Sequence, residues 1–311
     1  MNEIAAALGP VFMLILFGAL LRKLDFPAEH FWPQAERFTY FVLFPAMLIA
    51  KLATAEVGET PLLPTFGNIA WLLLGGSLII WLLRKQLAGN GPAFTSVYQG
   101  GIRFNTYIGL ACADALYGDA GLIVAAVTVA IMIPLVNVLC VASFHLTLHR
   151  ANSGLSTLLR SLAGNPLILG CLIGIGLNRS GIGLPGWSGE LFSLLGSAAL
   201  PLGLLAVGVA LDLRVLHGSV RELAGATLLR FLIMPLLVLL GLMLMPLPAL
   251  NAQVLLLFGA LPTATSAYIL ARQLGGDTVL MANIVTLQTL VGFVTLPLWL
   301  LLAAVLWPLP G

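Results

Sequence analysis

The sequence predicts an all-α polytopic membrane protein. Ten transmembrane helices form a five-plus-five inverted repeat, with helices four and nine broken inside the membrane. Three observations carry this. The 311 residues are 60% hydrophobic and only 8% charged, with a mean hydropathy of +1.06. Stretches long enough to cross a hydrocarbon core of about 30 Å recur ten times along the chain. Two interrupted stretches, Gln99–Tyr107 and Gly259–Tyr268, occupy matching places in the two halves.

Composition sets the class first. Soluble domains carry roughly 25% charged residues, so a chain this apolar cannot hide its surface from water. The net charge of +2 is spread thinly between apolar stretches and gives no nucleic-acid footprint. Cys112, Cys140 and Cys171 all lie in apolar runs without metal-ligand spacing and read as small packing residues. Met1-Asn2-Glu3 is not a basic leader, so the first apolar run reads as a span rather than a cleaved signal.

In chain order the first five spans fall at 4–21, 35–54, 64–83, 93–117 and 120–148. The other five fall at 158–178, 187–211, 221–245, 251–273 and 278–307. Loops after odd-numbered spans hold Arg22, Lys23, Arg37, Arg84, Lys85, Arg150, Arg160, Arg214 and Arg221, with Arg272 at an edge. Loops after even-numbered spans hold Lys51 and Arg179. That bias puts the odd loops in the cytoplasm and both termini outside, in a multi-pass protein of the cytoplasmic membrane.

The halves, residues 1–149 and 158–311, repeat each other across a polar connector at 150–157. Gly9-Pro10 and Pro45 match Asn165-Pro166 and Pro201 at a shift of 156. At a shift of 158, Gly101 falls on Gly259, Ala113 on Ala271, Gly118-Asp119 on Gly276-Asp277, and Val127-Thr128 on Val285-Thr286. Five spans per half is odd, so the second half enters from the opposite side, which inverts the repeat.

Backbone at membrane depth cannot go unpaired toward lipid, so irregular chain there lines a protein-enclosed cavity. Paired interrupted segments in two halves point to a carrier's binding site. If span four breaks near 102–105 and span nine near 262–265, each distal half-helix starts in mid-membrane. Its first amides then lack intrahelical partners and its positive dipole end is bare. Such ends attract anions. Asn105 and Thr106 suit capping or ligation on one half-helix; Thr263, Thr265 and Ser266, after Pro262, suit the other. A plainer reading makes Pro262 only a kink, with the hydroxyls bonding back to carbonyls.

Arg103 costs ~2.5–3.5 kcal/mol at mid-membrane on insertion scales, and no carboxylate lies within a helical turn to offset it. It reads either as the anion contact of the cavity or as a buried structural cation. A guanidinium holds a carboxylate bidentately, which suits a carboxylic acid. Asp114 falls near the outer end of span four, as a solvated helix end or a coupling group. Asn137, Asn283 and Gln288 lie inside spans five and ten, as cavity lining or interhelical bonds. Arg230 in span eight reads as snorkelling or pairing near the cytoplasmic side. His30, His145, His149 and His217 read as interfacial. Pro45, Pro134, Pro201, Pro235 and Pro297 read as kinks. No enzyme signature, cofactor motif or metal-ligand set appears.

Several runs together resemble a known family. They are Phe44–Leu48 (Phe-Pro-Ala-Met-Leu), Arg103–Leu110 (Arg-Phe-Asn-Thr-Tyr-Ile-Gly-Leu) and Ala115–Gly118 (Ala-Leu-Tyr-Gly). To these add Gly164–Leu167 (Gly-Asn-Pro-Leu), Ala199–Gly208 (Ala-Leu-Pro-Leu-Gly-Leu-Leu-Ala-Val-Gly) and Leu261–Tyr268 (Leu-Pro-Thr-Ala-Thr-Ser-Ala-Tyr). They resemble the auxin efflux carrier family over essentially the whole chain, most closely its bacterial branch, distant relatives of the plant PIN-FORMED carriers.

The resemblance implies a fold similar to bile acid:sodium symporters, with broken helices four and nine crossing. It also implies a mobile transport part (spans 3–5 and 8–10) beside a scaffold (spans 1, 2, 6 and 7) that forms homodimers in the plant relatives. Members carry organic anions such as auxin, malate or malonate. The chain lacks the long central cytoplasmic loop, a proline in the span-four break and an aromatic-rich auxin signature. A small mono- or dicarboxylate therefore fits better than auxin. Two rivals are a sodium-coupled symporter of the bile-acid type and a non-transporting ligand sensor.

Overall fold

The computed structural model describes residues 2–28, 30–55, 61–148, 164–211 and 220–309. The connector at 150–157, the start of the sixth span, and Arg150, Arg160, Arg214, His149 and His217 lie outside the described residues. Every regular element among the described residues is a helix.

In the first half, α1 (Asn2–Lys23) leads to α2 (Phe31–Phe38), which passes through a π turn at Thr39–Leu43 into α3 (Phe44–Ala53). There follow α4 (Leu62–Leu82), α5 (Arg84–Leu87), α6 (Gly91–Ile102) and α7 (Thr106–Leu148). The second half holds α8 (Pro166–Arg179), α9 (Ser188–Ser197) and α10 (Ala199–Ala210). Next comes α11 (Val220–Leu228), which passes through a π turn at Leu229–Ile233 into α12 (Met234–Leu244). The chain closes with α13 (Ala249–Ala260), α14 (Ser266–Leu274) and α15 (Thr278–Leu306).

Local chemistry explains the irregular points. Proline has no N–H to donate and its ring crowds the carbonyl four residues back. Pro45 and Pro235 each sit just after a π turn, and Pro201 just after the interruption at Ala198. The wider turn accommodates the ring while the helix runs on. Pro134 and Pro297 lie inside α7 and α15. Residues Gly91–Leu148 make an apolar helical run of 58 residues, which would reach about 90 Å if straight. It is broken at 103–105 and redirected at Gly118, whose φ of 59° is a conformation that favours glycine.

Among the described residues six helical runs are long and apolar enough to cross a membrane: Ile4–Lys23, Leu62–Leu82, Gly91–Leu148, Ser188–Ala210, Val220–Leu244 and Thr278–Leu306. The expected spans at 35–54 and 251–273 are built from shorter helices, the second interrupted at 261–265, and the described part of 158–178 is the single helix α8. Large apolar side chains such as Leu63, Leu82, Met243 and Val305 stand exposed, as expected where the surrounding solvent is lipid.

The two halves interlock through two close helix pairs: α1 runs along α10, and α3 along α8. Small residues permit it, as they do between helices in membranes. A Cβ at Gly208 would stand 1.9 Å from the Ile15 carbonyl oxygen, and one at Gly18 2.2 Å from that of Leu205. Around this unit, α4 packs on α12, α6 on α15 and α13 on α7.

Candidate functional site

The two breaks meet. α6 stops at Ile102 and α7 starts at Thr106; α13 stops at Ala260 and α14 starts at Ser266. The Asn105 amide donates to the Pro262 carbonyl at 2.8 Å, so each interruption supplies a partner the other lacks. The Thr263 amide donates to Gln288 Oε1 at 3.0 Å, and the Thr263 hydroxyl to the Gln99 carbonyl at 3.3 Å.

Four helix ends converge at this point, and the protein treats the two polarities differently. The C-terminal ends of α6 and α13 expose carbonyls and carry negative dipole ends. Arg230, fully buried, covers them: Nη2 donates to Phe258 O at 2.6 Å, Nη1 to Gly101 O at 3.4 Å and Nε to Leu261 O. Gln288 Nε2 adds Gly100 O at 3.0 Å and Ala226 O at 3.1 Å. Of the two expectations for Arg230, snorkelling or pairing, burial removes the first, and its partners are backbone carbonyls. It is the cation that balances two helix C-termini, and orphan carbonyls at depth hold it there.

The N-terminal ends of α7 and α14 are instead left toward a cavity of about 620 Å³. Asn105 caps α7, its Oδ1 accepting from the Tyr107 and Ile108 amides at 3.1 and 3.2 Å. Thr265 holds the N-cap position of α14 but makes no cap bond to it; its hydroxyl donates to Glu36 Oε1 at 3.4 Å. Arg103 reaches the same cavity. Its Nη2 donates to Asn137 Oδ1 at 2.6 Å, while Nη1 is enclosed without a hydrogen-bond partner. No ion pair forms between Arg103 and Glu36, although both line the cavity. A half-satisfied guanidinium beside two positive helix ends can receive an anionic oxygen at little desolvation cost to itself.

Of the residues the sequence singles out, Arg103, Asn105, Thr106, Asn137, Thr265 and Ser266 line this cavity. Pro262, Thr263 and Gln288 do not; they are spent on holding the two breaks together. Asn283 is buried in α15 away from the cavity. Asp114 is half-buried at the far end of the fourth segment, with Lys51 and Asp119, which pair at 2.6 Å. The three cysteines are buried and unpaired. Among the described residues no cluster of three His, Cys, Asp or Glu side chains could hold a metal.

Sequence reasoning missed several polar lining residues, among them Glu36, Tyr40, Asn165 and Gln273. Asn165 carried a local signal, the Asn-Pro pair that starts α8, where its Oδ1 accepts from the Leu167 and Ile168 amides. Glu36 carried a weaker one, a single acid in the opening turns of an apolar span. A second cavity of about 420 Å³, with Arg22, Asp25 and Ala206 on its wall, adjoins the first at Pro33 and Glu36.

Comparison with known proteins follows the same lines. Residues 4–300 match the model of the family described as membrane transport protein. A protein of Methanothermobacter thermautotrophicus, named an uncharacterized transporter, is 25% identical over 293 residues, which is 93% of this chain and 95% of that protein. The uncharacterized transporter YfdV of Escherichia coli K12 is 31% identical over 200 residues, 62% of this chain and 63% of its own.

Proposed function

We propose, from the premise that this chain belongs to the membrane transport protein family of auxin-efflux-carrier type, that it carries a small organic anion by alternating access. The observation that carries the reading is Arg103, which lines the cavity beside the starts of α7 and α14 with Nη2 held by Asn137 and Nη1 without a hydrogen-bond partner. The substrate class is a mono- or dicarboxylate such as malonate or malate. One carboxylate sits against Arg103 and the starts of α7 and α14, with Asn105, Thr106, Thr265 and Ser266 as polar contacts.

The architecture proposed with it is ten spans in an inverted repeat, crossing at the two breaks. Supporting this, a two-fold that exchanges span one with six and span two with seven also exchanges the α1–α10 and α3–α8 pairings. Spans 1, 2, 6 and 7 form the scaffold, through which two copies associate; spans 3–5 and 8–10 form the moving part. The cavity lies between them, with α2 and α8 on one wall and α7 and α14 on the other. With the termini outside the cytoplasmic membrane, Arg37 and Gln273 mark its cytoplasmic mouth, and this conformation faces inward.

Uptake of labelled mono- and dicarboxylates into proteoliposomes tests the reading. Arg103→Ala is expected to lose transport of the preferred acid. Undiminished transport by that variant removes Arg103 from the site. Dependence on sodium rather than on pH favours the symporter of bile-acid type, and binding without flux favours a sensor.

A further inference from the structure

Glu36 occupies the place that the proposed substrate needs. It projects from α2, on the scaffold side, and accepts from the Thr265 hydroxyl at the start of α14, on the moving side. A carboxylate near a bare helix N-terminus is the favourable partner of that end. Glu36 therefore presents a carboxyl group of the protein's own to one of the two ends that would receive the substrate.

The groups facing Glu36 are few. On its own segment stand Arg37 and Tyr40; from the α6–α7 break come Arg103 and Tyr107. Across the second cavity are Arg22 and Asp25. From α14 and its cap the polar lining is uncharged, Thr265, Ser266 and Gln273, and from α10 the second cavity is lined by Ala206, Val209 and Ala210.

We infer that Glu36 is the proton-coupling group of this carrier, binding one proton each time a substrate carboxylate is bound. The inference rests on the anion-carrier reading above. Charged, Glu36 accepts from the Thr265 hydroxyl and shares the cavity wall with Arg37 and Arg103. A second carboxylate at Arg103 disfavours that charged form, because two carboxylates sharing one site disfavour double ionisation. Proton binding at a Glu36 carboxylate oxygen and anion binding at Arg103 then favour each other by the same factor. Protonation also frees the end of α14 for the substrate. The second cavity reaches Glu36 and is not lined by Arg103, so the proton has an approach of its own. When the substrate leaves, the proton leaves with it, and a monoanion crosses with no net charge.

The test is counterflow of labelled malonate and malate in proteoliposomes at about pH 5.5 and about pH 7.5, for wild type, Glu36→Gln and Glu36→Asp. Wild type is expected to run about tenfold faster at the acid pH, within the usual range of coupling between sites. Glu36→Gln, permanently neutral, is expected to run at both pH values near the acid rate of wild type. Glu36→Asp keeps the pH ratio. Titration of the acids themselves is common to all three proteins and cancels. A Glu36→Gln protein with the wild-type pH ratio, or inactive at both pH values, overturns the inference while leaving the carrier reading intact. Absence of counterflow by wild type with either acid defeats the carrier reading and takes this inference with it.

Discussion

The Asn105 amide and the Pro262 carbonyl, one from each broken segment, are hydrogen-bonded at 2.8 Å. That bond joins the two interruptions into one structure, so the geometry at either depends on both. Arg230 and Gln288 complete the junction by taking up the carbonyls at the ends of α6 and α13. What the junction leaves toward the cavity is two helix starts and Arg103, with Glu36 on the same lining. The same junction supports the fold and underlies the proposed anion site.

Asn137→Asp is expected to weaken substrate affinity sharply without unfolding the protein. The new carboxylate pairs with Arg103 in place of the amide oxygen and cancels the charge offered to substrate. A charge-assisted hydrogen bond contributes about 1.5–3 kcal/mol, so affinity falls on the order of 10- to 100-fold. The checks are KM in proteoliposomes and an unchanged melting temperature in detergent.

Asn105 separates capping from binding. Asn105→Ala removes the acceptor of the Tyr107 and Ile108 amides and costs about 1 kcal/mol of stability. Asn105→Asp keeps the cap and places a negative charge at the site. The expected outcome is a protein as stable as wild type that no longer takes up a carboxylate, read by thermal unfolding beside uptake.

Arg230→Met is expected to be the most destructive single change at the junction. It strips three carbonyls of their donor inside a buried site, at a cost on the order of 3–5 kcal/mol. Fluorescence-detected size exclusion should show loss of the monodisperse peak. Arg230→Lys, with a point charge in place of a fork, should recover it only in part.

The α1–α10 contact has its own test. Gly208→Leu drives a side chain into the Ile15 carbonyl, which is backbone and cannot rotate away; overpacking of this kind costs about 1–3 kcal/mol or more. Gly9→Ala, also in α1 but with nothing within 4 Å of the added Cβ, is the control. It should leave the melting temperature unchanged or raise it, since alanine favours helix over glycine by about 1 kcal/mol.

The sequence by itself determined where the helices run, where two of them stop and what caps one of the restarts. Those features follow from the nearest few residues: apolar length, the missing N–H and ring of proline, and the short acceptor of Asn105. Only the tertiary structure decided which side chains share the cavity. Pro262, Thr263 and Gln288 look like ligands on paper but are used up where the breaks touch, and Arg230 looks like a snorkelling residue but serves two distant helix ends. Glu36 reaches Thr265 from the far side of the molecule. The physical reason is that an amide or guanidinium is satisfied by whatever oxygen packing brings within about 3 Å, and at membrane depth no water stands in for a partner. Sequence distance carries no information about that choice.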